Sequence, residues 1–255
     1  VSRRWWSLAP VLGVVVLLVV WQTAVRVFDI RPFVLTAPSD IVAYLRRAPD
    51  DFLTASWVTL RHALLGLVFG LVVSFVIGAA LAASPFLERA VQPVLVLVQV
   101  TPFAAYIGAV VVWLGAGDPP VVFIATLVCV PPFTFAVVAG LRGADSAAVE
   151  LFASVGATRW EVLRRVRLPF ALPSVFTAAR YNIGLSLVVA YLVEGSNFAD
   201  EGLGAIGRRA AANNLGDPLW ATIFCVALLG VVGLGAVALA ERRLLHWHAS
   251  QRSIG

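Results

Sequence analysis

The sequence predicts an all-α membrane protein that crosses the bilayer six times, and three observations carry this. Of 255 residues, 60% are hydrophobic and 13% charged, with a mean hydropathy of +0.92, a balance that soluble domains of this length do not have. Uncharged runs cover 5–25, 63–87 and 90–117, each long enough to span the hydrocarbon core as a helix. A polar island over Val149–Pro173 interrupts the apolar sequence. It has no place in lipid, so it is expected as a cytoplasmic platform carried between two spans. The expected spans are 5–26, 62–86, 91–114, 119–141, 173–194 and 218–240, with a coupling loop over 142–172, in one domain of 1–255.

The first span opens with Ser2-Arg3-Arg4-Trp5-Trp6. A twin-arginine export signal also begins with paired arginines, but the uncharged run that follows is too long for a signal h-region and has no clean cleavage site. Arg3 and Arg4 are therefore expected as a cytoplasmic flank, with Trp5, Trp6 and Trp21 near the two interfaces. Val1 is read as an alternative start codon translated literally in a GC-rich bacterial genome. Between the first and second spans, Ala37-Pro38-Ser39-Asp40 reads as a helix start with Ser39 or Asp40 as N-cap. Ile41, Tyr44 and Leu45 then recur at helical spacing, the pattern of a short amphipathic helix lying on the membrane surface or on a partner protein.

In the second span Gly66, Gly70, Ser74, Gly78 and Ala82 recur every fourth residue. Packing, not hydrophobicity, drives helix association in lipid, so this stripe predicts a close helix–helix seam. The third span contains Pro93, Gln99, Thr101 and Pro102. Proline removes a backbone hydrogen bond and kinks a helix, and Gln99, Thr101 and Pro102 are candidates for a pathway lining or, alternatively, for an interhelical hydrogen bond. Gly115-Ala-Gly-Asp-Pro-Pro120 reads as a tight external turn. The fourth span follows, expected to be broken at Pro131-Pro132.

The island holds two helical patterns, Ala148–Val155 and Thr158–Arg167, joined at Gly156 and closed by Pro169 and Pro173. Glu161 precedes Arg164 and Arg165 at the spacing that pairs charges on one helix face. Arg142, Arg159, Arg164, Arg165 and Arg167 place the segment in the cytoplasm by the positive-inside rule. On the resulting topology, eleven arginines fall on cytoplasmic segments and seven outside, with both termini inside. The net charge of +5 is thereby assigned to membrane orientation, with no nucleic-acid partner expected.

In the fifth span Arg180 either snorkels to the headgroups or pairs within the bundle. Ionisable and polar groups at depth are functional candidates, which puts Asn182, Ser186, Tyr191 and Glu194 beside Gln99, Thr101 and Pro102; Glu194 alternatively marks the outer end of the span. Gly202, Gly204 and Gly207 satisfy G-x-G-x-x-G, but the dinucleotide fingerprint requires a strand before it, so the stretch is expected as an external loop or re-entrant turn. Gly230, Gly233 and Gly235 permit close packing of the sixth span. His246 and His248 make a poor metal site without further ligands. Cys129 and Cys225 lie in apolar runs and read as packing residues.

The island also carries a resemblance. Glu150, Gly156 six residues on, Val166 and Leu168-Pro169 fit the E-A-A-x3-G-x9-I-x-L-P signature of the EAA loop, with Leu151 and Phe152 in place of the alanines and Val166 in place of isoleucine. Over about Arg61 to Trp220 the chain resembles the inner-membrane permeases of ABC transporters, and within them the nitrate/sulfonate/taurine importer branch. The resemblance implies a type I ABC importer-like arrangement of six helices with a cytoplasmic coupling helix. It further implies a second permease subunit, as a homodimer, two ATPase subunits beneath, and an extracytoplasmic solute-binding protein. The ATPase-coupling residues would be Glu150, Leu151, Phe152, Gly156, Ala157, Arg164, Arg165, Leu168 and Pro169. Within that role Glu150 would cap the coupling helix or pair with an ATPase arginine, and Gly156 would adopt positive φ or admit the ATPase backbone. The solute would be an oxyanion, sulfonate, taurine or vitamin precursor.

All 19 basic residues are arginine, so no P-loop lysine exists in this chain, and ATP and Mg would bind a partner. No cofactor, metal site or catalytic residue is expected in the chain itself. An ion-coupled secondary transporter or channel would want several deep acidic or histidine groups, and the uncharged runs hold none. A membrane enzyme would want a nucleophile, zincin or clustered-carboxylate motif, and none is present.

Overall fold

The computed structural model describes residues 4–245, and the side chains from residue 9 on. Arg3, His246, His248 and Arg252, and the side chains of Arg4, Trp5 and Trp6, lie outside the described residues.

Eleven α-helices and no strand occur among the described residues. The long ones are α1 (Arg4–Val27), α3 (Pro49–Ala83), α6 (Asp118–Arg142), α9 (Leu168–Glu194) and α11 (Gly216–Leu244). Short ones connect them: α2 (Pro38–Arg47), α4 (Pro85–Val100), α5 (Ile107–Leu114), α7 (Ser146–Ser154), α8 (Arg159–Val162) and α10 (Leu203–Ala212). Five helices are long and apolar enough to cross a membrane, six if α4 and the stretch to Leu114 form one broken span.

At the centre stands α6, packed between α3 and α9. The α3–α6 seam is built on the small-residue stripe. A Cβ on Gly70 would lie 2.7 Å from Cys129 Cβ, one on Gly78 2.7 Å from Val137 Cγ1, and one on Gly66 would collide with Ala125 Cβ. Ser74 Oγ donates to the Val130 carbonyl at 2.8 Å. That bond works because Ser74 is on the stripe and wholly buried, where an unpartnered hydroxyl is costly. On the other face of α6, Gly140 admits the backbone of Ala171, bringing α9 close at its inner end.

Several expectations are corrected. Pro131 and Pro132 do not break α6, which runs unbroken through both; its neighbours α3 and α9 hold it on two sides, so the missing N–H groups do not end the helix. The third span is not a kinked rod. It turns through 93° between α4 and the stretch Phe103–Leu114, and the turn falls at Thr101-Pro102, while α4 runs on through Pro93. Residues before proline avoid the α region, and Thr101 accordingly is extended, at φ −73°, ψ 125°. Helix α2 begins at Pro38, with Ala37 as an N-cap lacking any side-chain bond; proline's fixed φ suits the first helical position. Ser39 and Asp40 instead take bonds from Gln22 and Arg26 of α1. Helix α2 turns Ile41 onto the chain's own bundle, where it is buried against Phe52, Ala55, Leu203 and Ala221. The glycine-rich stretch at 202–207 is not a loop, since it starts helix α10.

Candidate functional site

The platform is made of α7, α8 and a π-helical turn, Leu163–Arg167, that runs without interruption into α9. Residues Arg159–Glu194 therefore form one continuous helical rod of 36 residues, about 54 Å at 1.5 Å per residue. Thr158 starts it with a reciprocal capping box: its Oγ1 accepts from the Glu161 N–H at 3.3 Å, while Glu161 Oε2 accepts from the Thr158 N–H at 2.8 Å. The Thr158 N–H foremost, then the Thr158 hydroxyl, which also donates to Oε2 at 3.0 Å, and the charge of Arg165 lower the pKa of Glu161 below its usual 4.5. The expected pairing of Glu161 with Arg164 or Arg165 does not form, because its carboxylate is turned back on Thr158 and the π turn changes the register of both arginines.

Each coupling candidate can be placed. Leu151 is exposed and Phe152 half-buried; Gly156 separates α7 from α8 at φ +78°, with open space where a Cβ would stand. Positive φ is a conformation only glycine adopts without strain. Glu150 is exposed in the middle of α7 and does not cap it. The cap is Asp145, whose Oδ1 accepts from the Ala147 N–H at 3.0 Å. Ala157 is half-buried, and Arg164 and Arg165 are exposed. Val166 is buried, and Leu163 and Leu168 pack against the core of Val137, Leu141 and Ala171. Pro169 sits where the π turn passes into α9, and its missing N–H withdraws one backbone bond from the continuous helix there.

The pathway candidates are not brought together. Gln99 and Pro102 are exposed and Thr101 is half-buried, its hydroxyl donating to the Leu97 carbonyl at 2.7 Å. Asn182 and Ser186 are wholly buried inside the bundle and line no open path within the chain. Ser186 bonds the Ile183 carbonyl at 3.1 Å, and Asn182 lies against α6, where Cys129 Sγ is 3.9 Å from its carbonyl. Arg180 pairs with Glu241 of α11, within the bundle.

Glu194 is far more than the outer end of a span. It is wholly buried and ties four helices together. Thr59 Oγ1 donates to Glu194 Oε2 at 2.7 Å, the Gly204 N–H to the same oxygen at 3.2 Å, and His62 Nδ1 lies 2.8 Å from Oε1. Thr59 in turn accepts from the Leu203 N–H at 2.9 Å. The first two N–H groups of α10, which no carbonyl of the helix can accept from, are thus satisfied by Thr59 and Glu194. His62 Nε2 is 3.1 Å from Asp118 Oδ1, ion-pair distance at an angle poor for a hydrogen bond, and Arg61 pairs with the same carboxylate. The three glycines of 202–207 make this knot possible. A Cβ on Gly202 would strike the Glu194 carboxylate, on Gly204 the Tyr191 carbonyl, and on Gly207 the Tyr191 hydroxyl; that hydroxyl lies 3.1 Å from Thr222 Oγ1 of α11.

Sequence reasoning missed Thr59, His62 and Asp118. A signal existed: His62 stands four residues before Gly66 and so heads the buried stripe of α3. A histidine on a buried face requires partners.

A bundle of apolar helices with a polar platform rigid with one of them is the architecture of a polytopic membrane protein. The chain belongs to the family of binding-protein-dependent transport system inner membrane components, whose pattern matches residues 70–246. It is similar to the formylaminopyrimidine transport permease protein ThiX of Halalkalibacterium halodurans, 30% identical over 98% of this chain and 100% of that protein. It is equally similar to the taurine transport system permease protein TauC of Escherichia coli, 30% identical over 91% of this chain and 87% of that one. Its fold is that of a membrane subunit in an inward-facing structure of the MetNI methionine ABC transporter, with a TM-score of 0.61 at 22% identity over 74% of this chain and 95% of that chain. The chain is thus a permease component of an ABC transporter and a multi-pass membrane protein, in the all-α type I importer-like arrangement.

Proposed function

We propose that this subunit forms half of the pathway of an ATP-driven importer, with nucleotide and Mg on separate ATPase subunits that dock on the α7–α8 platform. The observation that carries the reading is the 36-residue rod Arg159–Glu194. A force applied to the platform by closing ATPases would move α9 as a rigid body, and α9 reaches from the platform to the Glu194 knot; this is the lever that alternating access requires. Leu151 on α7 and Val155 at its C-cap, both exposed, supply apolar contact for the ATPase, with Glu150, Gly156, Arg164 and Arg165 around them. The chain itself hydrolyses nothing.

The platform and both termini are assigned to the cytoplasm. Supporting this, Arg142, Arg159, Arg164, Arg165 and Arg167 cluster on and beside the platform, the bias that the positive-inside rule describes. A second copy of the chain completes the pathway, and an extracytoplasmic binding protein delivers the solute. The solute is a small oxyanion, sulfonate, taurine or vitamin precursor, selected by the binding protein. Relatives at equal identity are named for a pyrimidine and for taurine, which fits a permease that leaves selectivity to its partner.

The test is a mild-detergent pull-down of the tagged chain from its native membranes with mass spectrometry, beside Gly156→Asp. A P-loop ATPase recovered with the wild type but not the variant is the expected result. A correctly folded chain recovered alone, or unchanged association of the variant, would overturn the proposal.

A further inference from the structure

A cleft of about 640 Å3 separates the platform from the inner ends of α3 and α6. Its bundle wall is small and apolar, with Ala79, Ala82 and Leu141; Val149 and Ala153 of α7 face them, and Arg159 and Arg167 complete the lining. Neither guanidinium meets a carboxylate in an ion pair among the described residues. Arg167 also faces an adjoining cleft, beside Arg142 and Glu150, and there Arg142 is paired with Glu88 at 2.5 Å. No residue of α7 is buried, so the cleft holds this helix off the bundle.

The occupant such a space selects is an amphiphile with an apolar body and an anionic head. Alanine and leucine walls at the end of membrane-spanning helices accept an acyl chain, and guanidinium groups bind phosphate oxygens through paired N–H donors. Basic pockets between helices on the cytoplasmic side are the setting in which lipid headgroups bind. We propose that this cleft binds one anionic phospholipid, with its acyl chain along Ala79, Ala82 and Leu141 and its phosphate on Arg159 and Arg167. The lipid then packs α7 against the bundle and stiffens the platform. This regulatory consequence, though not the binding, rests on the ATPase-docking reading above.

The experiment is native mass spectrometry of the purified full chain in neutral detergent, titrated with phosphatidylglycerol, phosphatidylcholine or inorganic phosphate. One phosphatidylglycerol is expected to bind at least about tenfold more tightly than phosphatidylcholine, with no displacement by phosphate. Arg159→Gln with Arg167→Gln should lose that preference, whereas Arg164→Gln with Arg165→Gln, outside the cleft, should keep it. Ala153→Trp, which fills the cleft and leaves both arginines, should also expel the lipid. Unchanged elution volume and helicity establish that each variant is folded. Equal binding of the two lipids, displacement by phosphate, or retention of lipid in Ala153→Trp would each overturn the proposal. Because no ATPase is present, these outcomes are independent of the pull-down.

Discussion

Removing the Glu194 carboxylate should unfasten the outer end of the bundle. Glu194→Ala leaves the Thr59 hydroxyl, the Gly204 N–H and His62 Nδ1 without the acceptor they now share. A buried polar group stripped of its partner costs about 1–3 kcal/mol, and here the Thr59 hydroxyl, the Gly204 N–H and His62 Nδ1 lose theirs together. The expected destabilisation is therefore about 3–5 kcal/mol, some of it recovered as Thr59 rotates toward other acceptors. Glu194→Gln keeps the volume and one carbonyl acceptor but turns an NH2 group toward a second donor, so its loss should be smaller, about 1–3 kcal/mol. For a chain of this length, about 4 kcal/mol lowers the melting temperature by about 10 °C. Thermal unfolding of the purified chain in detergent reads this value. Amide exchange at Leu203 and Gly204 should accelerate before that of α6, because the first turn of α10 loses its anchor. A cycle with Thr59→Val should give a coupling of about 0.5–3 kcal/mol with Glu194→Ala. Wild-type melting and unchanged protection of Leu203 and Gly204 in Glu194→Ala would refute the view that Glu194 holds these helices.

Gly204→Ala places a methyl group against the Tyr191 carbonyl and should destabilise by about 1–3 kcal/mol; Gly235→Ala, where a Cβ meets open space, should be neutral or stabilising by up to about 1 kcal/mol. Thermal melts of the two variants side by side decide this, and equal melting points would contradict it. Acidification should fray the start of α8. The lowered pKa of Glu161 means that its ionised form is favoured in the folded platform, so the capping box is fully present above about pH 4.5 and is lost as the pH falls through the lowered value. Protection factors over Thr158–Val162 should hold down to about pH 4.5 and drop below it, with no such drop in Thr158→Ala; pH-independent protection in the wild type would count against the capping box.

How much of this was legible in the sequence depends on the kind of interaction. The platform was readable because polarity, the single Gly156 and the paired prolines stand out against apolar surroundings. The stripe at Gly66, Gly70, Ser74 and Gly78 identified a seam because helical periodicity alone puts those positions on one face. The same periodicity, carried four residues upstream, reaches His62. What it meets there was not readable, since Glu194 is 132 residues away and neither residue's neighbours in sequence distinguish a buried knot from an exposed span end. The glycines at 202, 204 and 207 show the same limit. Their spacing suggested a turn, and only the approach of Tyr191 and Glu194 explains why each lacks a side chain.

The sequence by itself determined the class of molecule, the helical periodicity and the place of the polar platform. These follow from short-range physics: lipid demands internally bonded helices, and glycine and proline restrict φ locally. Tertiary structure decided the rest. It kept α6 unbroken through two prolines, turned the third span by 93° at Thr101-Pro102, and buried Asn182 and Ser186 inside the bundle. It also gathered Thr59, His62 and Gly204 onto Glu194. Each of these depends on which helix lies beside which, and contacts between distant segments leave no periodic trace in a single sequence.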